Sequence, residues 1–118
     1  MLASEFLPRF TSFPQVLLTN LYKGKNMYKI EMEVPGIKRD DISIDLQDDN
    51  KIKVNVTKSE GKKDGLEKVH SEIEFGKYSR IIDLPDVDYE KVEAELNDGI
   101  LSITLPAKEK TKQQIKIK

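Results

Sequence analysis

Apolar and polar residues alternate along most of the chain between residues 28 and 105, as they do in strands with one buried face. The pattern is clearest from Tyr28 to Val34, where every second residue is apolar and the residues between are charged. Further apolar segments of strand length are 42–46, 52–56, 69–75, 78–84, 92–96 and 101–105. Turn-forming residues separate them, and Asn97-Asp98-Gly99 is a hairpin signal. Seven short strands joined by such turns predict an all-β fold, an antiparallel β-sandwich of immunoglobulin-like type.

The chain divides by composition into an N-terminal arm (1–24), the strand region (25–106) and a C-terminal extension (107–118). Exposed aromatic side chains on a flexible arm promote aggregation unless a partner covers them. We therefore expect the apolar residues of the arm to contact other proteins. These residues are Phe6, Phe10, Phe13, Leu17 and Leu18.

The segment from Ser59 to Lys68 interrupts the strand pattern with two glycines and six charged residues. This composition predicts a solvated loop, and the loop is long for a connection inside a small domain. Two interpretations stay open. The segment is either a loop without a further role, or it carries the strand Val69–Phe75 away from its own sheet.

The C-terminal extension is polar or small from residue 107 to residue 114 and then contains Ile115 and Ile117. In an extended segment these two side chains point to the same side. They could add to the edge of a sheet in another subunit, with pockets for alternate side chains. The alternative is a terminus without a binding role.

Composition excludes several classes of function. The 118 residues include 20 basic and 21 acidic side chains, and the formal net charge of -1 argues against a nucleic-acid binder. There is no cysteine and only one histidine, His70, so we expect no metal site, no cofactor site and no catalytic triad, and hence no enzyme. No apolar run is long enough to span a membrane, and the N-terminus lacks the features of a signal peptide. We therefore expect a cytoplasmic protein.

Four motifs in the correct order resemble the small heat-shock protein family, whose core is the α-crystallin domain. Residues 33–42 are similar to the family's V-P-G-x-x-x-x-D-I block, and residues 94–106 to its A-x-x-x-x-G-V-L signature and the following strand. Residues 75–80, with Leu84-Pro85 after them, resemble the segment before the family's seventh strand, and residues 115–117 its C-terminal I-x-I motif.

The resemblance implies an ATP-independent molecular chaperone, a holdase that binds partly unfolded client proteins and prevents their aggregation. It also implies a homo-oligomer built from dimers, of about 12 to 24 subunits, with closed symmetry. It assigns client contacts to the arm and oligomer contacts to Ile115 and Ile117. The groove that receives this tail would lie between strands 51–58 and 92–97, with the candidate residues Val54, Val56, Ala94 and Leu96.

The resemblance further implies that the strand Val69–Phe75 is exchanged between protomers. Arg80 aligns with the arginine on which the family's dimer interface relies, and we expect it to meet Glu72 or Glu74 of the exchanged strand. Two other functions stay open at this point. One is a CS-domain co-chaperone, a monomer that binds a single folded partner, and the other is a structural β-sandwich subunit without client activity.

Overall fold

The computed structural model describes residues 17–47, 51–108 and 116–118. Its seven strands form two antiparallel sheets, with the order β1-β2-β7-β6 in one and β3-β4-β5 in the other. The strands are β1 (Thr19–Lys23), β2 (Met27–Glu33), β3 (Ile42–Gln47), β4 (Lys51–Lys58), β5 (Gly76–Asp83), β6 (Glu93–Asn97) and β7 (Ile100–Pro106). Short 3-10 helices at Arg39–Asp41 and Tyr89–Lys91 precede β3 and β6. The all-β antiparallel sandwich is thereby confirmed.

The core lies between the two sheets and consists of the alternating apolar residues that the sequence indicates. Ile30 of β2 is directly opposite Ile103 of β7, and neither side chain is exposed. The other sheet contributes every second residue of β4. The fully or almost fully buried strand residues are Ile30, Met32, Ile52, Val54, Val56, Leu101, Ile103 and Leu105.

The hairpin between β6 and β7 forms where the sequence predicts it. Asp98 and Gly99 both have positive φ angles, 50° and 76°, as a two-residue type I′ turn requires. The turn also packs closely against the end of β2. The Val34 amide donates a hydrogen bond to the Gly99 carbonyl at 2.8 Å, and a Cβ on Gly99 would lie 3.5 Å from Pro35 Cα.

Two segments differ from the predicted pattern. Residues 69–75 are not paired as a strand in the described single chain, where Val69 is 91% exposed, and their exchange between protomers stays a prediction. Residues 19–23, which the sequence analysis placed in the arm, form strand β1 and pair with β2. The sandwich therefore begins earlier than residue 25.

Candidate functional site

The strand order leaves two lateral edges at which the sheets face each other. At one edge β3 lies beside β6, and at the other β1 lies beside β5. We call the first the groove and the second the closed seam. They differ in what fills the space between the sheets.

The groove is an open cavity of about 350 Å³. Ile42 and Ile44 of β3 supply one wall and Leu96 of β6 the other, and all three side chains are half-buried. The complete lining consists of Arg39, Ile42, Ile44, Ala94, Glu95, Leu96 and Leu101. The groove is thus an apolar slot with one cation and one carboxylate at its border, a chemistry that suits the alternating side chains of an extended peptide.

The groove includes only half of the residues that the sequence analysis assigned to it. Ala94 and Leu96 line it, but Val54 and Val56 are buried in the core. The reason is strand order. β4 is the central strand of its sheet, so both its edges are paired, and β3 forms the open edge. The strand pattern of Ile42 and Ile44 was visible in the sequence, but alternation alone does not show which strand lies at an edge.

The closed seam is sealed by the chain itself. Arg80 of β5 is paired with Val54 in register, so its side chain starts from the inner face of the sheet. Its Nη1 donates hydrogen bonds to the Leu17 carbonyl at 2.9 Å and to Thr19 Oγ1 at 3.3 Å. The Thr19 hydroxyl also donates to the Leu17 carbonyl, at 2.7 Å. Leu17 is buried and has a φ of 59°, which is unusual for a residue other than glycine.

These contacts correct one assignment. Leu17, expected among the client-binding residues, belongs to the core, whereas the neighbouring Leu18 is 41% exposed. Arg80 bonds to the start of β1 within its own chain. Its expected contact with Glu72 or Glu74 of an exchanged strand involves a second protomer and stays a prediction. Glu72 lies 2.8 Å from Nε2 of His70.

Residues 59–75 form a long loop that exposes apolar side chains. Lys68 Nζ holds its two ends together, at 2.8 Å from Glu60 Oε2 and 5.5 Å from the centre of the Phe75 ring. The loop encloses a wide hollow and leaves Leu66, Val69 and Ile73 more than half exposed. A surface of this kind is typical of a segment that packs on another molecule.

Other sequence candidates lie at or beyond the limits of the described residues. Ile117 is 97% exposed. Ile115 and the three arm phenylalanines, Phe6, Phe10 and Phe13, lie outside the described residues.

The described part of the chain has no candidate metal site, because no group of three or more His, Asp or Glu side chains converges there as metal ligands would. Burial, followed by the negative charge of Asp83, raises the pKa of Tyr89, and its hydroxyl donates to the Leu84 carbonyl at 3.3 Å. This phenol has a structural role. Among the described residues, no helix has the length and apolar character needed to cross a membrane.

Comparison with known sequences agrees with this architecture. A family model described as the Hsp20/alpha crystallin family matches residues 20–118. Heat shock protein 16 of Schizosaccharomyces pombe is 34% identical over 105 residues, which cover 84% of this chain and 73% of that protein. Small heat shock protein C4 of Rickettsia felis is 39% identical over 107 residues, which cover 84% of this chain and 62% of the relative. The chain thus spans less than two thirds of the length of the second relative.

Solved structures share the fold. Heat shock protein 16.0 from Schizosaccharomyces pombe superposes with a TM-score of 0.68 at 30% identity, covering 87% of this chain and 98% of that one. A small heat-shock protein from Xylella fastidiosa superposes with a TM-score of 0.72 at 20% identity, covering 90% and 99%. The chain therefore belongs to the Hsp20/alpha-crystallin family of small heat-shock proteins, which are ATP-independent chaperones that prevent aggregation and are not enzymes.

Proposed function

We propose that this chain is a cytoplasmic holdase that works as a homo-oligomer built from dimers, with the groove as the contact that joins the dimers. The observation that carries the proposal is the open apolar slot between β3 and β6. Apolar surface exposed to water is unfavourable, so a partner that fills the slot and buries this surface is stabilised there. The family forms oligomers and binds clients, and a size of about 12 to 24 subunits stays a prediction.

The occupant of the groove is the tail of another subunit, with Ile115 and Ile117 as its two anchors. These isoleucines are two residues apart, as are Ala94 and Leu96 on the groove side of β6. Side chains with this spacing on an added strand lie on the same face as those of its neighbour. Full burial of each isoleucine contributes about 1.5–3 kcal/mol.

The dimer contact is the loop of residues 59–75. In the described part of the sandwich the free strand edges are those of β1, β3, β5 and β6. β3 and β6 border the groove, and the loop itself leads into β5. We therefore assign the partner's loop to the β1 edge, where Val69 and Ile73 would be covered. The partner's Glu72 or Glu74 would then approach Arg80, which already lies against β1.

Client proteins bind to the arm through Phe6, Phe10 and Phe13, together with the exposed Leu18. Burial of apolar surface contributes about 25 cal/mol per Å², so several weak contacts suffice to hold an unfolded chain without a defined sequence. We propose no nucleic-acid, metal or membrane partner. The family match favours this function over a CS-domain co-chaperone and over a purely structural subunit.

The experiment measures light scattering of a heat-labile client protein, heated without ATP in the presence of each variant. The wild-type chain is expected to suppress scattering, and Phe6→Ser/Phe10→Ser/Phe13→Ser is expected to lose most of this protection while its circular dichroism stays unchanged. The matched control is Ser4→Thr/Thr11→Ser/Ser12→Thr, which changes three residues of the same arm without removing an aromatic ring. Full protection by the phenylalanine variant would move the client site elsewhere.

The assembly is tested by mass in solution. Ile115→Ser/Ile117→Ser is expected to give dimers, and the control Gln113→Ser/Gln114→Ser is expected to keep the wild-type mass. An unchanged mass of the isoleucine variant would contradict the tail contact. A wild-type monomer at micromolar concentration would favour the co-chaperone alternative.

A further inference from the structure

We propose that Lys116 and Lys118 of a tail lying along β6 of another subunit form ion pairs with Glu93 and Glu95, and that these ion pairs select for this tail. The inference rests on the proposed contact between tail and groove. It adds a second, polar face to that contact, one that distinguishes this tail from others with the same isoleucines.

β6 has two chemically different faces. Ala94 and Leu96 are paired with the buried residues Ile103 and Leu101 of β7, so they point toward the space between the sheets. Glu93 and Glu95 alternate with them, are paired with Thr104 and Ser102, and are exposed on the outer face. Within the described chain β6 bonds only to β7, so its other edge is free to accept a strand.

The tail has the same two-faced pattern, with opposite charge. Residues 115–118 read Ile-Lys-Ile-Lys, so an extended tail has isoleucines on one side and lysines on the other. In an antiparallel register the tail residues 115, 116, 117 and 118 lie beside Leu96, Glu95, Ala94 and Glu93. Every apolar residue then meets an apolar residue, and every lysine meets a glutamate.

A parallel register keeps the charge match but not the whole apolar match. Ile117 again lies beside Ala94, and Lys116 and Lys118 lie beside Glu93 and Glu95, whereas Ile115 lies beside Val92, which precedes β6 and does not line the groove. A shift by one residue in either direction would turn the lysines into the groove and the isoleucines to solvent. The combined pattern of apolar residues and charges therefore fixes which face of the tail enters the groove.

The two glutamates are available for this role. The ion pairs of the described chain are Glu60–Lys68 and Asp88–Lys91, and Glu72 lies at hydrogen-bond distance from His70; none of these contacts includes Glu93 or Glu95. Lys29 is the lysine that shares the outer face with them, but β7 lies between it and β6. Lys29, Glu93 and Glu95 line one shallow hollow on this face, but none of the ion pairs of the described chain joins Lys29 to either glutamate.

The test uses the full chain and its mass in solution at two salt concentrations. Glu93→Lys/Glu95→Lys and Lys116→Glu/Lys118→Glu each replace attraction by repulsion, so each is expected to weaken association through the tail roughly tenfold. The four-residue exchange that combines them is expected to restore the wild-type mass. Raising the salt concentration from about 50 mM to about 500 mM screens these charges. It is expected to reduce the difference in mass in solution between the wild type and the two charge-reversed variants.

The matched control is Glu31→Lys/Glu33→Lys. It makes the same charge change on the outer face of the same sheet, but on β2, whose edges are both paired. If Glu93→Lys/Glu95→Lys assembles as this control does, or if the four-residue exchange fails to restore assembly, the ion pairs do not form. Ile115→Ser/Ile117→Ser separates the two proposals. If it dissociates while the charge variants do not, only the ion pairs are wrong, and if it stays assembled, the tail contact is wrong as well.

Discussion

The two lateral edges of the sandwich differ in whether the chain covers the core that lies between the sheets. At the closed seam the chain covers its own core, with Leu17 buried and Arg80 bonded to the Leu17 carbonyl. At the groove, Ile42, Ile44 and Leu96 stay half-buried around an open slot. A small, highly charged chain has few apolar residues with which to cover its core. Its described residues cover the core at one edge only.

This difference separates stability from assembly. Changes at the closed seam should lower the free energy of unfolding of each subunit. Changes at the groove should leave each subunit folded and alter its association. The predictions below test this division, beginning with the largest expected effect.

Replacement of Leu17 by alanine should lower the free energy of unfolding by about 3 kcal/mol, because it removes a buried side chain and leaves a cavity. The matched control is Leu18→Ala at the next residue, which is exposed and should cost less than about 1 kcal/mol. Urea unfolding followed by circular dichroism measures both. Equal effects of the two substitutions would show that Leu17 does not close the seam.

Replacement of Arg80 by alanine should cost about 2 kcal/mol, since it removes a charged donor from the Leu17 carbonyl and from Thr19 Oγ1. Arg80→Lys keeps the charge with a different donor geometry and should lose part of this amount. Hydrogen exchange of residues 17–23 is the more specific measurement. Exchange at these amides should rise in Arg80→Ala, and unchanged protection there would contradict the proposed seal.

Replacement of Ala94 by phenylalanine should fill the groove and weaken association through the tail by at least about tenfold, or about 1.4 kcal/mol. Ala94 is exposed in the single chain, so the urea midpoint of the subunit should change little. Ala94→Ser is the size-matched control and should assemble normally. Wild-type mass in the phenylalanine variant would mean that the groove is not the contact between dimers.

The smallest effect is expected at Tyr89, near the end of the sandwich between β5 and β6. Its pKa is raised in the folded chain, so its contribution to stability is complete below the unfolded pKa of about 10 and is lost as pH rises through the folded value. Tyr89→Phe should therefore cost less than about 1 kcal/mol at neutral pH, where the hydrogen bond to Leu84 is lost. The difference between the two proteins in urea unfolding should shrink above pH 10, and a constant difference would contradict this role.

Alternation of apolar residues was sufficient to predict the fold, because a half-buried strand exposes every second side chain whatever its partner is. It identified the buried faces of β2, β4 and β7, and the hairpin at Asp98-Gly99 followed from turn chemistry. Strand order is a property of the whole chain and is not encoded in that period. The resemblance placed Val54 and Val56 at an open edge, and alternation could not correct this assignment, although both residues lie in the centre of a sheet.

The closed seam could not be predicted for a related reason. On the inward-facing side of residues 19–23, only Leu21, which is paired with Ile30, is apolar. The segment therefore lacks the alternation that marks the other strands. Arg80 was assigned to a dimer interface through the resemblance to the family, and that contact stays a prediction, but its bonds within the chain were not foreseen. Its partners are a backbone carbonyl and a hydroxyl far away in sequence, and no sequence motif indicates such contacts.

The central claim is that the groove stays open in the single chain and is filled by the tail of another copy in the assembly. Hydrogen exchange followed by mass spectrometry tests it directly, comparing the wild-type chain with Ile115→Ser/Ile117→Ser at the same concentration. The account predicts that the variant loses protection in residues 42–47 and 93–97, while protection in residues 17–23 is the same in both proteins. Equal protection of both groove strands in the two proteins would contradict it.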